Sequence, residues 1–318
     1  MTQSGHWPLK FAVMHNRSSG VVGFKRRPQG RAPRKAAITM KTILVPTEDN
    51  SAMRSALDTA LLLARRCDSY IEGFALRWLV ADFAAFDPTG GTPSETDRLA
   101  AAQVETQARQ IFESFMQGHN VPRSTAKIEA LSFGWLDDAP QGEDFVGSYG
   151  RVFDVIVLSR PGANETFVHN RALYSGLFES GRPVLLAPPA PPPQIATNVL
   201  IAWNRSTEQA RAISLAMPLL QKAKRVTVLT VIGGTEVPGP SAEQLIHYLQ
   251  RNGIAAEPMS VGLDGKNTGQ TILAAAQSTG CDLLVKGAYT QSRLRQMIFG
   301  GATRHVLENA EIPVLLAT

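Results

Sequence analysis

Apolar runs and amphipathic segments alternate along this chain, and the same order of segments occurs twice. Each short apolar run is typical of a strand, and each following segment repeats its apolar residues at helical spacing. The run at 42–47 corresponds to the run at 198–203, which lies 156 positions later. The apolar helix faces that follow correspond at the same offset: Leu57, Ala60, Leu61 and Ala64 match Ile213, Ala216, Met217 and Leu220. The pattern therefore predicts two copies of one α/β module.

Each copy is predicted to contain five strands and four helices. In the first copy, strands are expected at 42–47, 70–77, 126–132, 153–159 and 183–187, and helices at 51–66, 93–118, 142–150 and 168–179. In the second copy, strands are expected at 198–203, 225–232, 256–261, 282–287 and 313–317, and helices at 206–221, 241–252, 268–279 and 301–310. Continuously apolar strands that alternate with helices predict a parallel sheet covered on both faces. We therefore expect two flavodoxin-like or Rossmann-like modules, each a five-stranded parallel sheet in the order 3-2-1-4-5 with helices on both faces.

Helix-capping residues and prolines predict where helices begin and where the two modules divide. Three helix starts fit a capping box, in which a polar residue and a Glu or Gln three positions later cap each other's backbone. The pairs are Thr92 with Glu95, Ser206 with Gln209, and Ser241 with Gln244. The proline-rich stretch at 188–193 cannot form a central strand, so a stiff linker is expected at 188–196 between modules at 40–187 and 197–318.

Positive charge is concentrated in the first 39 residues. The formal net charge is +5, but residues 1–39 carry eight basic and no acidic residues, and the rest carries 24 basic against 27 acidic residues. The folded body is therefore mildly acidic and is not expected to bind nucleic acid. The basic segment has three interpretations: a nucleic-acid or membrane arm, a targeting peptide, or a disordered leader. We favour the leader, which includes the case that translation begins at Met40.

Several classes of protein lack support in the sequence. No run of 18 apolar residues occurs, so no membrane span is expected. Cys67 and Cys281 lie in different halves without metal or disulfide spacing, so we expect two buried thiols in a cytoplasmic protein. The histidines also lack metal spacing. Neither a Walker A loop, a dinucleotide fingerprint nor a nucleophile with its base is apparent, so no enzyme activity and no bound metal are expected.

The chain after the predicted strand 282–287 is the best candidate for a ligand site. In a doubly wound sheet, ligands bind beyond the carboxyl ends of the strands at the topological switch point. Gly287 is followed by Thr290, then by a spacer of nine residues, then by Gly300 and Gly301. Glycines allow close backbone approach, and a helix N-terminus favours phosphate. Three arginines, at positions 293, 295 and 304, add positive charge to the same region.

These residues resemble the nucleotide-binding pattern of the universal stress protein family, Gly-x2-Gly-x9-Gly-(Ser/Thr). Gly287 fits the first glycine and Gly300 fits the third, with a spacer of the right length. Thr290 stands at the second glycine and Gly301 at the final Ser/Thr, with Thr303 two positions further on. The match is complete in spacing and partial in residue identity.

The resemblance covers residues 40–318 and identifies the chain as a tandem two-domain member of that family. The family's carboxylate after strand 1 falls on Asn204, which can still donate and accept hydrogen bonds. The resemblance places Val231 where the family packs an apolar residue beside the base. It therefore implies an adenine-nucleotide site in the second module, formed by Asn204, Val231, Gly287, Gly300, Gly301 and Thr303.

The first copy departs further from the family pattern. No paired glycines follow the predicted strand 153–159, and the position after strand 1 is Glu48. The stretch from strand 4 to strand 5 is two residues shorter than in the second copy. We therefore expect the phosphate site of the first copy to be lost or reshaped, and one nucleotide per chain.

The resemblance implies a cytoplasmic stress-response protein that binds or senses ATP, ADP or AMP without catalysis. Two alternatives stay open: a structural or interaction protein with vestigial sites, and a slow nucleotide hydrolase or kinase. The apolar final strands, which end at Ala187 and Thr318, could pair at an edge between the two modules or between two chains, so protein partners and a homodimer are possible. The sequence does not indicate which stress or signal is involved.

Overall fold

The computed structural model describes residues 39–77, 95–124, 131–160, 171–288 and 301–318. Almost all of the predicted leader lies outside these ranges. The same is true of Thr92 in the first capping box and of Thr290 and Gly300 in the predicted site. Within the described residues, none of the helices is both long and apolar enough to cross a membrane.

Strands and helices alternate through both halves. The strands are β1 (Thr42–Thr47), β2 (Tyr70–Ala75), β3 (Ser132–Trp135), β4 (Val155–Leu158), β5 (Val184–Leu186), β6 (Asn198–Ala202), β7 (Arg225–Ile232), β8 (Glu257–Gly262), β9 (Leu283–Gly287) and β10 (Val314–Ala317). The described helices are α1 (Met53–Cys67), α2 (Glu95–Gly118), α3 (Asp144–Gly150), α4 (Arg171–Glu179), α5 (Thr207–Leu220), α6 (Ala242–Arg251), α7 (Thr268–Ser278) and α8 (Gly301–Asn309).

All ten strands form one sheet in the order β3-β2-β1-β4-β5-β10-β9-β6-β7-β8. The expectation of two separate five-stranded sheets is therefore wrong. The two halves join because β5 and β10 pair with each other in antiparallel orientation, whereas the other pairings are parallel. An apolar edge strand leaves backbone N–H and C=O groups unpaired, and this pairing satisfies both edges at once. Counted within its own half, each set of strands lies in the order 3-2-1-4-5.

The junction between the halves is symmetric. Leu185 lies opposite Leu315, and these two positions correspond in the repeat. Away from the sheet, Arg66 Nη2 donates to the Lys222 carbonyl, and Lys222 Nζ donates to the Arg66 carbonyl at 2.7 Å. Residues 66 and 222 also correspond in the repeat. The two copies therefore associate as a homodimer would, and residues 38–318 form one compact unit.

Helices cover both faces of the sheet, as predicted. One apolar layer packs α1, α2, α5 and α6 against the sheet, and the other packs α3, α4, α7 and α8 against it. The repeated helix faces at 57–64 and 213–220 lie buried in the first of these layers, which confirms the pattern that revealed the repeat. Cys67 and Cys281 are buried free thiols, also as expected.

Two local predictions need correction. The third strand was expected at 126–132; residues 126–130 lie outside the described ranges, and β3 extends to Trp135, three residues past the expected end. There Phe133 and Trp135 pack their rings against Phe112 of α2. Helix α6 has the complete Ser241–Gln244 capping box, whereas Ser206 caps α5 without reciprocal bonding from Gln209. Helix α7 has a capping box that was not predicted, between Asn267 and Gln270.

Candidate functional site

The second half of the sheet has its topological switch point between β6 and β9. From β6 the chain proceeds to β7 and β8 on one side, and then returns to β9 and β10 on the other. The carboxyl ends of β6 and β9 therefore flank a crevice of the kind that binds ligands in such sheets. Asn204 follows β6, Val231 lies near the end of β7, and Gly287 ends β9.

Helix α8 begins at this edge of the sheet with Gly301. That residue is exposed, and a Cβ atom added to it would meet no atom of the described residues within 4 Å. The first N–H groups of a helix lack partners within the helix, and the helix dipole adds partial positive charge there. The start of α8 thus has the polarity that suits an anion.

A buried lysine, which the sequence reasoning missed, stands directly below this helix start. Lys286 is the penultimate residue of β9 and is 7% exposed. Its Nζ donates to the Thr303 hydroxyl at 2.8 Å and to the Gly287 carbonyl at 2.9 Å. Among the described residues, no Asp or Glu pairs with it, and burial lowers the pKa of its ammonium group to about 8. The signal in the sequence was a single charged residue inside an otherwise apolar strand.

Gly287 has a packing role that the motif did not reveal. An added Cβ would lie 2.4 Å from the backbone nitrogen of Gln209, so only glycine lets β9 approach the first turn of α5 this closely. The Gln209 side chain accepts a hydrogen bond from Gly287 N at 2.6 Å and donates to the Val285 carbonyl at 3.2 Å. This use of its carboxamide explains why Gln209 does not complete the capping box with Ser206.

Asn204 uses part of its hydrogen-bonding capacity within the turn that follows β6. Its Oδ1 accepts a hydrogen bond from Ser206 N at 3.2 Å, and its carbonyl accepts one from Val237 N at 3.3 Å. The Nδ2 group has no hydrogen bond within the described parts of the chain. Asn204 therefore offers a donor, rather than the carboxylate acceptor of the family pattern, to anything bound beside it.

The loop at 233–240 contacts the ends of β6 and β7. Gly234 lies against Val231, which is 7% exposed, and its N–H donates to the Val231 carbonyl at 3.0 Å. Arg205 pairs with Glu236 at 3.1 Å. Arg205 also holds a left-handed backbone, with φ of 67°, which is unfavourable for a residue other than glycine. This loop thus narrows the place that the resemblance assigns to the base.

The first module lacks the polar groups found in the second. The positions equivalent to Lys286 and Thr303 are Leu158 and Leu173, and both are buried in the apolar core. After β4, Arg160 Nη1 donates at 2.6 Å to the carbonyl of Ala310, at the end of α8 in the other module. The side chain that follows the first module's β4 therefore supports the second module.

Of the predicted site residues, the structure joins Gly287 and Thr303 through Lys286 and places Gly301 in the same helical turn as Thr303. Asn204 follows β6 and Val231 lies near the end of the neighbouring strand β7, at the same edge of the sheet. Gly300 lies outside the described residues. Within those residues, no cluster of three or more His, Cys, Asp or Glu side chains is arranged to hold a metal ion.

Comparison with known proteins identifies the second module. Residues 196–318 match the model of the Universal stress protein family. A universal stress protein from Archaeoglobus fulgidus DSM 4304 superposes with a TM-score of 0.66 at 13% identity, covering 88% of this chain and 97% of that one. A putative universal stress protein from Pseudomonas aeruginosa UCBPP-PA14 gives 0.49 at 17% identity, covering 87% and 93%. A search of curated protein sequences finds no match.

The chain thus carries two α/β modules side by side in one sheet, with a crevice at the switch point of the second. Its segment 196–318 belongs to the universal stress protein family, and the fold of a universal stress protein extends over most of the chain. The match of residues 196–318 to this family supports a role in the stress response.

Proposed function

We propose that this protein acts in the stress response by binding one adenine nucleotide, ATP, ADP or AMP, in its second module without chemical turnover. The observation that carries the proposal is the buried Lys286–Thr303 pair below the start of α8, at the switch point. Positive charge at a helix N-terminus favours a phosphate group. On this proposal the base lies toward Asn204 and Val231, and Gly301 lies beside the phosphates.

The difference between the copies supports a stoichiometry of one. In the first module, leucines fill the places of the polar pair, and Arg160 is engaged by the other module. A nucleotide there would find neither the buried cation nor a free arginine. The two buried thiols are compatible with the cytoplasm as the working compartment.

Calorimetric titration with ATP, ADP, AMP and adenosine tests the proposal. Gly301→Asp places a carboxylate where a phosphate would bind, and an acid at a helix start does not weaken the helix. We expect this variant to fold and to lose ATP affinity by about tenfold or more, which corresponds to ~1.4 kcal/mol. Gly301→Ala fills the same open space without charge and should bind as the parent does. Absence of ATP binding by the parent at millimolar concentration would overturn the proposal.

A second candidate function is a structural or interaction protein whose sites are vestigial. The observation that favours it is the loop at 233–240, which covers Val231 and is held by the Arg205–Glu236 pair. This candidate predicts no heat of binding for any of the four ligands and no effect of Gly301→Asp on a partner interaction.

A further inference from the structure

Lys286 carries a charge that the described protein does not balance. Its ammonium group is almost fully buried and contacts two neutral oxygens, the Thr303 hydroxyl and the Gly287 carbonyl. A buried charge is costly unless an opposite charge or a full set of hydrogen bonds compensates it. A bound anion would supply the missing compensation.

Within the described residues, the elements around Lys286 bring no other charged group next to its ammonium group. Strands β6 and β10 and helix α7 contain no titratable side chain. On α8, Arg304 pairs with Glu308 at 2.7 Å, and His305 packs its Cβ against Gly269 of α7. Glu208 lies on α5, which covers the opposite face of the sheet. Lys286 is therefore the buried cation nearest to the start of α8 in the described structure.

The Thr303 hydroxyl links Lys286 to the start of α8. Its oxygen accepts the hydrogen bond from Lys286 Nζ, and Thr303 is itself only 6% exposed. Thr303 lies in the first turn of α8, where backbone N–H groups have no partner within the helix itself. The ammonium group of Lys286 thus lies beside the positive end of a helix dipole, and an anion would stabilise both.

Folding does not require this polar pair. The equivalent positions in the first module are Leu158 and Leu173, which pack in the same layer of the core. The same fold is therefore built with two leucines, at no cost in buried charge. A polar pair in only one copy indicates a role that only this copy performs.

We propose that Lys286 is the counter-charge of the bound phosphate group, so that the second module selects phosphate-bearing ligands and releases them as this ammonium group loses its proton. Lys286 is a positioning residue here, since it acts through Thr303 and through its charge. The inference rests on the proposed nucleotide site for the location of the phosphate. Burial has already brought the pKa of Lys286 to about 8, so its charge changes within an accessible range of pH.

The test compares ATP and inorganic pyrophosphate binding between about pH 7 and about pH 9.5, a range in which ordinary lysines stay charged. The parent should lose about tenfold in affinity over this range, because its free form gives up the Lys286 proton. Lys286→Met should bind about tenfold more weakly at the lower end and show no such dependence. Lys224→Met removes an exposed lysine at the opposite edge of the sheet and should match the parent.

A double variant, Lys286→Leu with Thr303→Leu, reproduces the leucine pair of the first module. It separates loss of binding from loss of folding. It should melt no lower than the parent and bind neither probe. If Lys286→Met binds ATP with the parent's affinity and pH profile, this inference is overturned and the proposed function stands. If the parent binds pyrophosphate through Lys286 but no ATP at any pH, the nucleotide proposal is overturned and this inference stands. If the parent binds neither probe, both are overturned.

Discussion

Lys286 illustrates how a single residue can oppose the stability of the module that contains it. Burial lowers the pKa of its ammonium group to about 8, from an ordinary value of 10.5. Above pH 8 the folded protein therefore holds fewer protons than the unfolded chain, until both forms are neutral above pH 10.5. The free energy of unfolding therefore benefits fully from neutral Lys286 only above the pKa of the unfolded chain, 10.5. This benefit is lost as the pH falls through the pKa of the folded protein, about 8.

This sign leads to a stability prediction that is independent of any ligand. Relative to Lys286→Met, the free energy of unfolding of the parent should rise by an amount on the order of 3 kcal/mol between about pH 8 and about pH 10.5. At neutral pH, Lys286→Met should be the more stable protein because it buries no charge. Urea denaturation of both proteins across this range measures the difference. A difference that stays constant with pH would contradict the buried-ammonium assignment.

At the scale of elements, the hydrophobic periodicity and the glycine motif predicted different things about this chain. Hydrophobic periodicity located nine of the ten strands to within about two residues and placed the helices on both faces. It ended the third strand three residues too early, because the Ser132–Trp135 strand is held by its aromatic contacts with α2 rather than by its own alternation. The motif identified Gly287 as a phosphate glycine, whereas its missing side chain accommodates α5.

That tertiary contact could not be foreseen, because the glycine and Gln209 lie 78 positions apart. The same limit applies to Lys286, which was visible in its strand, although nothing in the sequence indicated that it bonds to Thr303. Local patterns specify elements, but the partner of a buried polar group depends on which elements the fold brings together.

The contact between β9 and α5 leads to a prediction about Gly287. Gly287→Ala would place its Cβ 2.4 Å from the backbone of Gln209, and backbone cannot move aside cheaply. We expect a loss of about 2–3 kcal/mol in the free energy of unfolding, as for other overpacked cores. Gly118→Ala is the matched control, because no atom of the described residues lies within 4 Å of its new methyl group. Equal denaturation midpoints for the two variants would show that β9 does not lie this close to α5.

At the scale of the whole molecule, the pairing of β5 with β10 turns two modules into one cooperative body. The edge strands that an isolated module would expose pair with each other within the chain, around the symmetric Leu185–Leu315 pair. Reciprocal bonds between Arg66 and Lys222 reinforce the same junction from the helical layer. The two modules share both apolar layers of the core.

We therefore expect thermal unfolding in a single transition, with equal calorimetric and van't Hoff enthalpies. Leu315→Ala, which leaves a cavity at the junction, should lower the stability of the whole body by about 2–5 kcal/mol while keeping one transition. Two resolved transitions in the parent would mean that the modules unfold independently and that the shared sheet adds little to stability.

The central claim is that this duplicated protein binds one nucleotide, and binds it in its second module. Native mass spectrometry with ATP measures it most directly, since it counts ligands on each chain. The account predicts a single bound ATP on the parent and on Gly301→Ala, and none on Gly301→Asp at the same concentration. Two ATP molecules per chain, or undiminished binding by Gly301→Asp, would contradict it.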